Sequence, residues 1–348
     1  MKIPSFLPEN GTIGYVAPSF GCNIEPYKTC FNEAMRKFEE LGYVNYPGPN
    51  VFKGEGIGIS NTPEKCAEEL TNFYSSEDTD ILIACGGGEL MCEILPFVDF
   101  EKISNSEPKW YMGYSDNTNF TLLLNTICDT ASIYGPCAPS FGPNWHRSHK
   151  EALSLLKGEL KEVSNYISWE MVSLKTEANP LTAYNLTEKN CVRCMKISNP
   201  EDEDVNAAMT GRLIGGCLDC LVTLCGTKFD KIKEFNERYK EEGIIWFLES
   251  CDLNMMGVRR ALFQLKNAGW FENTKGFIIG RPLHFDEPMF GLDRFKAYME
   301  PLMEFNVPVI MDADIGHLPP QMPIVSGALS EVRYEAEERK LHIKYLDL

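Results

Sequence analysis

The N-terminal part of the chain alternates short continuous apolar runs with longer stretches of helical spacing. Gly11-Thr-Ile-Gly-Tyr-Val-Ala-Pro18 is an apolar run stopped by proline, the pattern of a buried strand. From Tyr27 to Leu41, the residues Phe31, Ala34, Met35, Phe38 and Leu41 share one helical face, and Gly42 supplies the stop. Thr62-Pro63 opens a second helix with a threonine cap and a proline in the first helical position. It runs through Ala67, Leu70 and Phe73 to the acidic turn at 75–78. Asp80-Ile-Leu-Ile-Ala-Cys85 reads as the next strand, and Leu90 to Leu95 as a helix after Gly86-Gly-Gly88. Lys109-Trp-Tyr-Met-Gly-Tyr114 is a further strand, followed by a helix from Asn117 to Ile127. This rhythm predicts an α/β fold with a mainly parallel sheet, covered by helices on right-handed crossovers.

Residues 145 to 205 break the rhythm. They hold the polar segment His146-Arg-Ser-His-Lys-Glu151 and the acidic segment Asn199-Pro-Glu-Asp-Glu-Asp-Val205, and read as an extended connection with short strands. A second domain begins near Thr210-Gly-Arg-Leu-Ile-Gly-Gly216, with strands expected at Gly243–Leu248, Gly276–Ile279 and Val307–Met311. Between them Val258 to Ala268 is helical, with Leu262 and Leu265 on its apolar side and Gly269 at its end. The expected organisation is an N-terminal domain at 1–165, a linker at 166–208 and a C-terminal domain at 209–348. No internal repeat or low-complexity segment interrupts it.

Composition narrows the function classes. The 348 residues are 44% hydrophobic and 24% charged, values of a water-soluble globular protein. A formal charge of −17 argues against nucleic acid or an anionic membrane surface as a partner. The opening Met-Lys-Ile-Pro-Ser-Phe-Leu-Pro-Glu-Asn lacks the apolar core of a signal peptide, so a cytoplasmic location is expected. Thirteen cysteines scattered through apolar segments read as reduced thiols serving as small hydrophobes. The one alternative is a four-cysteine zinc site from Cys191-Val-Arg-Cys194 and Cys217-Leu-Asp-Cys220. Its 22-residue spacing is wide, and the second pair enters an apolar helix rather than a polar turn. Neither a metal nor a cofactor is expected.

Three separated positions carry candidate chemistry. Ser115 follows an apolar strand within Gly113-Tyr-Ser-Asp116, where open α/β sheets place their sites. The plain alternative makes Ser115 a helix cap with Asp116 favouring the helix dipole. Glu249 closes the apolar run Ile244-Ile-Trp-Phe-Leu248, where a carboxylate needs a partner unless it lies just past the strand on the surface. His317 follows Gly316 and precedes the rigid Leu318-Pro-Pro-Gln-Met-Pro323; His284 is its rival as a base. Together they supply a nucleophile, an orienting carboxylate and a base in the order Ser, Glu, His. Gly86-Gly-Gly88 lets backbone approach a ligand, but position 91 is Met91 where a dinucleotide fingerprint wants glycine. Gly54-Glu-Gly-Ile-Gly58 lacks a preceding strand. An oxyanion donor loop is the better reading, with a bare structural turn as its competitor. Asp312 and Asp314 could ligate a metal, yet no second cluster at ligand spacing completes a site.

Read together, these segments resemble the LD-carboxypeptidase family of serine peptidases, and within it the microcin C immunity type. The resemblance rests on Val16-Ala-Pro-Ser19, Ala84-Cys-Gly-Gly-Gly88, Leu95-Pro-Phe-Val-Asp-Phe100, Gly113-Tyr-Ser-Asp116, Tyr134-Gly-Pro136 and Ser140-Phe-Gly142. It continues through Gly211-Arg-Leu-Ile-Gly-Gly216, Gly226-Thr227, Phe247-Leu-Glu249, Gly280-Arg281 and Gly316-His317, in family order. It implies Ser115 as nucleophile, His317 as general base and Glu249 as its orienting partner. The oxyanion hole would come from backbone amides of Gly86, Gly87 and Asp116. It further implies a Rossmann- or flavodoxin-like N-terminal domain carrying the serine, a smaller C-terminal α/β domain carrying Glu and His, an active site at their interface, and a homodimer. Gly88, Glu89, Trp169 and Cys217 are the candidate substrate-binding residues, Trp169 either stacking a base or filling a core. Cys217 stands where the family usually has asparagine, and Glu89-Leu-Met91 and Pro323-Ile-Val-Ser-Gly327 also depart from its pattern. The substrate implied is a small peptide or peptidyl-nucleotide, either an aminoacyl-nucleotide conjugate or a murein tetrapeptide. Tyr134-Gly-Pro136, Ser140-Phe-Gly142 and Phe247-Leu-Glu249 favour the former. A non-catalytic ligand-binding protein on the same fold is the competing class.

Overall fold

The structure, a computed structural model, describes residues 1–195 and 204–348. The chain forms two compact units, one from Met1–Leu160 with Val172–Asn185 and the other from Lys161–Met171 with Leu186–Leu348. The stretch read as a linker is therefore shared between the units, and its acidic segment falls partly outside the described residues.

The first unit carries five parallel strands: Thr12–Val16 (β1), Val44–Pro47 (β2), Ile81–Ala84 (β3), Trp110–Gly113 (β4) and Ser132–Tyr134 (β5). Their spatial order is β5-β4-β3-β1-β2. Every residue of β3 and β4 is buried, so these strands are unbroken apolar runs rather than alternating ones. The helices are Tyr27–Glu40 (α1), Pro63–Ser75 (α2), Phe100–Asn105 (α3), Thr118–Thr126 (α4) and Arg147–Leu156 (α5). Thr62 caps α2 by accepting from the Lys65 amide. Lys109, just ahead of β4, donates its ammonium to the carbonyls of Phe73 and Ser76 and to Thr79 Oγ1. Those bonds tie the end of α2 to β4, and burial lowers the amine pKa to about 8.

Local readings differ from the structure at three places. Edge strand β2 is mostly exposed, so Val44-Asn-Tyr-Pro47 has no apolar run to announce it. The helix expected at Leu90–Leu95 is a 3₁₀ turn over Met91–Phe97, with Pro96 unable to donate an amide bond. Helix α5 lies in the stretch expected to hold only short strands. Its start is capped by two histidines: the His146 ring accepts from the Ser148 amide, and His149 Nδ1 accepts from the His146 amide at 3.0 Å. Burial drives the His149 pKa down to about 3, and with Nδ1 accepting, the neutral ring carries its proton on Nε2, which donates to the Tyr184 hydroxyl oxygen at 3.1 Å.

The second unit carries the larger sheet. Its strands are Glu162–Ser164 (β6), Ser168–Trp169 (β7), Glu188–Lys189 (β8), Arg193–Met195 (β9), Ala207–Cys217 (β10) and Ile244–Glu249 (β11). They continue with Thr274–Gly280 (β12), Val309–Ala313 (β13), Ile324–Ser326 (β14), Leu329–Glu335 (β15) and Lys340–Tyr345 (β16). Eight of them run in the order β6-β16-β15-β10-β11-β12-β13-β9, while β7 and β8 form a separate ribbon. The central β10-β11-β12-β13 block is parallel and its flanks antiparallel. Helices Leu218–Leu224 (α6), Ile232–Arg238 (α7), Met255–Asn267 (α8) and Arg294–Leu302 (α9) accompany it. All six residues of β11 are buried, and Trp246 stacks on Trp270 with centroids 5.9 Å apart. Among the described residues no helix is long and apolar enough to cross a membrane.

The end of β10 is closely packed. Gly215 has φ +153°, and a Cβ there would collide with the Phe247 carbonyl on β11. Gly215→Ala is expected to cost about 2–4 kcal/mol through strained backbone and overpacking. Urea unfolding should show a lowered midpoint, whereas an unchanged midpoint would contradict this packing.

Candidate active site

Ser115 sits where β4 hands over to α4. Tyr114 is extended, Ser115 turns to φ +62°, and a 3₁₀ turn over Ser115–Asn117 leads into the helix. A left-handed serine is strained by on the order of 1 kcal/mol or more, so neighbours must hold it. The Ser115 amide donates to the Tyr134 hydroxyl at 3.0 Å. Asn117 Nδ2 donates to the carbonyls of Gly86 and Tyr114, while its Oδ1 accepts from the Tyr111 hydroxyl. The buried Asp116 carboxylate accepts from Ser19 Oγ, the Met91 amide and Asn119 Nδ2. The cap position of the turn is Tyr114, which makes no side-chain cap bond, so the helix-cap reading of Ser115 is not what the backbone adopts.

The glycine loop lies against this elbow. A Cβ on Gly87 would stand 3.1 Å from Ser115 Cβ and 3.2 Å from its Oγ, and 3.9 Å from the Asp116 amide nitrogen. The Gly87 carbonyl is taken by the Phe20 amide at 2.9 Å, and a Cβ on Gly88 would collide with Ser19 Oγ. Backbone of Gly86 and Gly87 thus reaches the serine because there is no side chain to keep it away. Glu89, beyond the loop, is exposed, and its amide donates to the Gly58 carbonyl.

In the second unit the structure brings Glu249 and His317 together. Glu249 is the last residue of β11 and fully buried, so the surface explanation of this carboxylate does not hold. His317 Nδ1 lies 2.9 Å from Glu249 Oε2. With a carboxylate as partner, Nδ1 carries the ring proton and Nε2 is left as the basic nitrogen. Gly316 makes the approach possible: at φ +106°, a Cβ would fall 2.7 Å from Glu249 Oε2. Burial disfavours the imidazolium, but the Glu249 charge, with side-chain hydrogen bonds to Cys251 and Glu249, outweighs it and raises the His317 pKa well above 6.5.

The other candidates resolve into distinct surroundings. Cys217 is buried at the end of β10, paired in register with Glu249, and its thiol donates to Asp219 Oδ2. Contact with Cys220 and then burial push its pKa up. Trp169 is only 3% exposed, packed with Phe285 and Leu318, its indole N–H on the Lys189 carbonyl and the Arg281 guanidinium over its face. This supports the core alternative for Trp169. His284 pairs at the surface with Glu287. Asp312 pairs with Arg294 and Asp314 with Arg281, so both carboxylates have basic partners. Among the described residues no group of three or more His, Cys, Asp or Glu is arranged to hold a metal. Sequence reasoning passed over Asn117, the Tyr134 hydroxyl and Cys251; only Tyr134 had a signal, its place in a family segment.

Comparison with known proteins now places the chain. Residues 13–135 match the LD-carboxypeptidase N-terminal domain and residues 210–332 the LD-carboxypeptidase C-terminal domain. The chain therefore belongs to the LD-carboxypeptidase family of peptidases. A Vibrio cholerae protein, provisionally named a carboxypeptidase, is 26% identical over 96% of both chains. A Rickettsia conorii protein with the same provisional name is 27% identical over 96% of this chain and 91% of its own. Among solved structures, the microcin C7 self-immunity protein MccF with aspartyl sulfamoyl adenosine superposes with a TM-score of 0.80, at 21% identity over the full length of both. An MccF-like protein of Bacillus anthracis gives 0.80 at 20% identity, over 99% of this chain and 100% of its own. The likeness establishes a shared two-domain α/β fold.

The Glu249–His317 pair generates a direct expectation. Glu249→Gln removes the charge that opposes burial, so the His317 pKa should fall toward or below 6.5 in an NMR titration. The pair's stabilisation is fully present below pH 6.5 and lost as pH rises through the raised folded value. A His317 pKa unchanged by the substitution would show that Glu249 does not hold the imidazolium.

Proposed function

We propose that this protein is a serine-type amide hydrolase in which Ser115 attacks, His317 acts as general base and Glu249 orients the ring. The observation that carries the reading is the buried Glu249–His317 bond in a member of a peptidase family. Ser115 Oγ adds to the amide carbonyl while His317 Nε2 accepts its proton. Backbone amides of Gly86, Gly87 and Asp116 receive the oxyanion, and the imidazolium then protonates the leaving amine. Water, deprotonated by the same imidazole, releases the acyl group from Ser115. The proposal requires Ser115 and His317 to meet one substrate.

For that substrate we infer an aminoacyl-nucleotide or related peptide conjugate. Support comes from the likeness to MccF, solved with aspartyl sulfamoyl adenosine and with glutamyl sulfamoyl guanosine. The carboxypeptidase names of the Vibrio and Rickettsia relatives favour a second reading, removal of the terminal residue from a murein tetrapeptide.

The two readings separate in one assay. Purified protein should release aspartate from aspartyl sulfamoyl adenosine, and Ser115→Ala should lower the rate by at least about a thousand-fold. Activity should rise with pH above neutral, because the raised His317 pKa keeps the base protonated below it. Release of D-alanine from the tetrapeptide alone would reverse the substrate assignment. Tight binding of either compound without turnover would favour a ligand-binding protein.

A further inference from the structure

Two side chains that bear on His317, those of Glu249 and Cys251, come from one short segment. That segment is gripped by a single carboxylate outside the proposed triad. Asp219, in the first turn of α6, accepts the Asp252 and Leu253 amides on Oδ1 at 2.9 and 3.0 Å. Its Oδ2 accepts the Cys251 amide at 3.1 Å and the Cys217 thiol at 3.4 Å. Four donors meet the four acceptor positions of an ionised carboxylate, and three of them are successive backbone amides. The segment is also anchored on its other side: the Tyr298 hydroxyl donates to Ser250 Oγ, and the Leu283 amide to the Ser250 carbonyl. Asn254 then caps α8 by accepting the Gly257 amide.

We propose that Asp219 is a positioning residue of the hydrolase, fixing the turn after β11 so that Glu249 and Cys251 both reach His317. The inference rests on the Ser115–His317–Glu249 reading and adds a residue that contacts no substrate. The turn carries successive amides that would otherwise be satisfied by water and free to reorient. A carboxylate that binds all three selects one backbone conformation, and through it one position of the Glu249 oxygens. An asparagine at 219 keeps one acceptor oxygen but sets an NH₂ group against an amide donor, so it repels part of what aspartate holds.

The test uses the full chain with Asp219→Ala, Asp219→Asn and Asp219→Glu. Small displacements of catalytic groups are expensive, so Asp219→Ala should lower kcat about 10- to 100-fold with KM little changed. Asp219→Asn should lie between it and the wild type, and Asp219→Glu should recover part of the loss. In an NMR titration the His317 pKa should fall in Asp219→Ala and Asp219→Asn as the Glu249 contact loosens. A folded Asp219→Ala with wild-type kcat and an unmoved His317 pKa would overturn the proposal. So would a raised KM at unchanged kcat, which makes Asp219 a substrate contact. If Asp219→Ala does not fold, Asp219→Asn decides by the same criteria. The His317 titration requires no turnover: absence of Ser115-dependent activity refutes the hydrolase reading, while the pKa arm still reads the role of Asp219.

Discussion

A carboxylate with no solvent exposure at the end of a wholly buried strand is the constraint on which the second unit turns. Glu249 cannot be hydrated, so its charge must be met by protein groups or be lost to protonation. The His317 imidazole meets it at 2.9 Å, and the surrounding packing is arranged to let it do so. Gly316 offers no Cβ to the space the Glu249 oxygens occupy, and a Cβ on Gly280 would stand 2.9 Å from Glu249 Cβ. The Glu249 charge that the ring satisfies, joined by Cys251, reverses the effect of burial on the imidazole, so the same pair bears on both the local stability and the basicity of His317.

The first unit solves a different problem with the same economy of side chains. Its strained serine stands at the carboxyl end of β4, where helix and loop backbones converge in open parallel sheets. Strain in one residue persists only where neighbours over-determine it, and here Tyr134, Asn117 and Asp116 each hold a separate part of the turn. Asn117 grips the serine's own turn and the glycine loop at once, so one side chain ties the elbow to the loop that lies against it.

Much of this was legible in the chain, for identifiable reasons. Buried parallel strands such as Ile81–Ala84 and Ile244–Leu248 are continuous apolar runs, and a lone glutamate closing one of them is conspicuous. What periodicity could not give was the sign of a backbone angle: nothing local separates a serine cap from a serine at φ +62°. Whether Glu249 lies inside or just outside the sheet end depends on a histidine 68 residues away, so sequence left both open. Helix α5 was hidden because histidines do the capping that Ser, Thr or Asp usually perform. Cys251 carries no motif and Asp219 is only a spacer position within Cys217-Leu-Asp-Cys220; their roles exist only in the turn that brings them beside the strand end.

On the reading proposed above, Ser115 is an activated nucleophile and His317 its base. Reaction of the intact protein with a fluorophosphonate probe, followed by mass spectrometry of its peptides, tests this most directly. One covalent adduct is expected on Ser115, absent from Ser115→Ala and strongly slowed in His317→Ala. An unlabelled active-form protein, or equal labelling of Ser115→Ala, would contradict it.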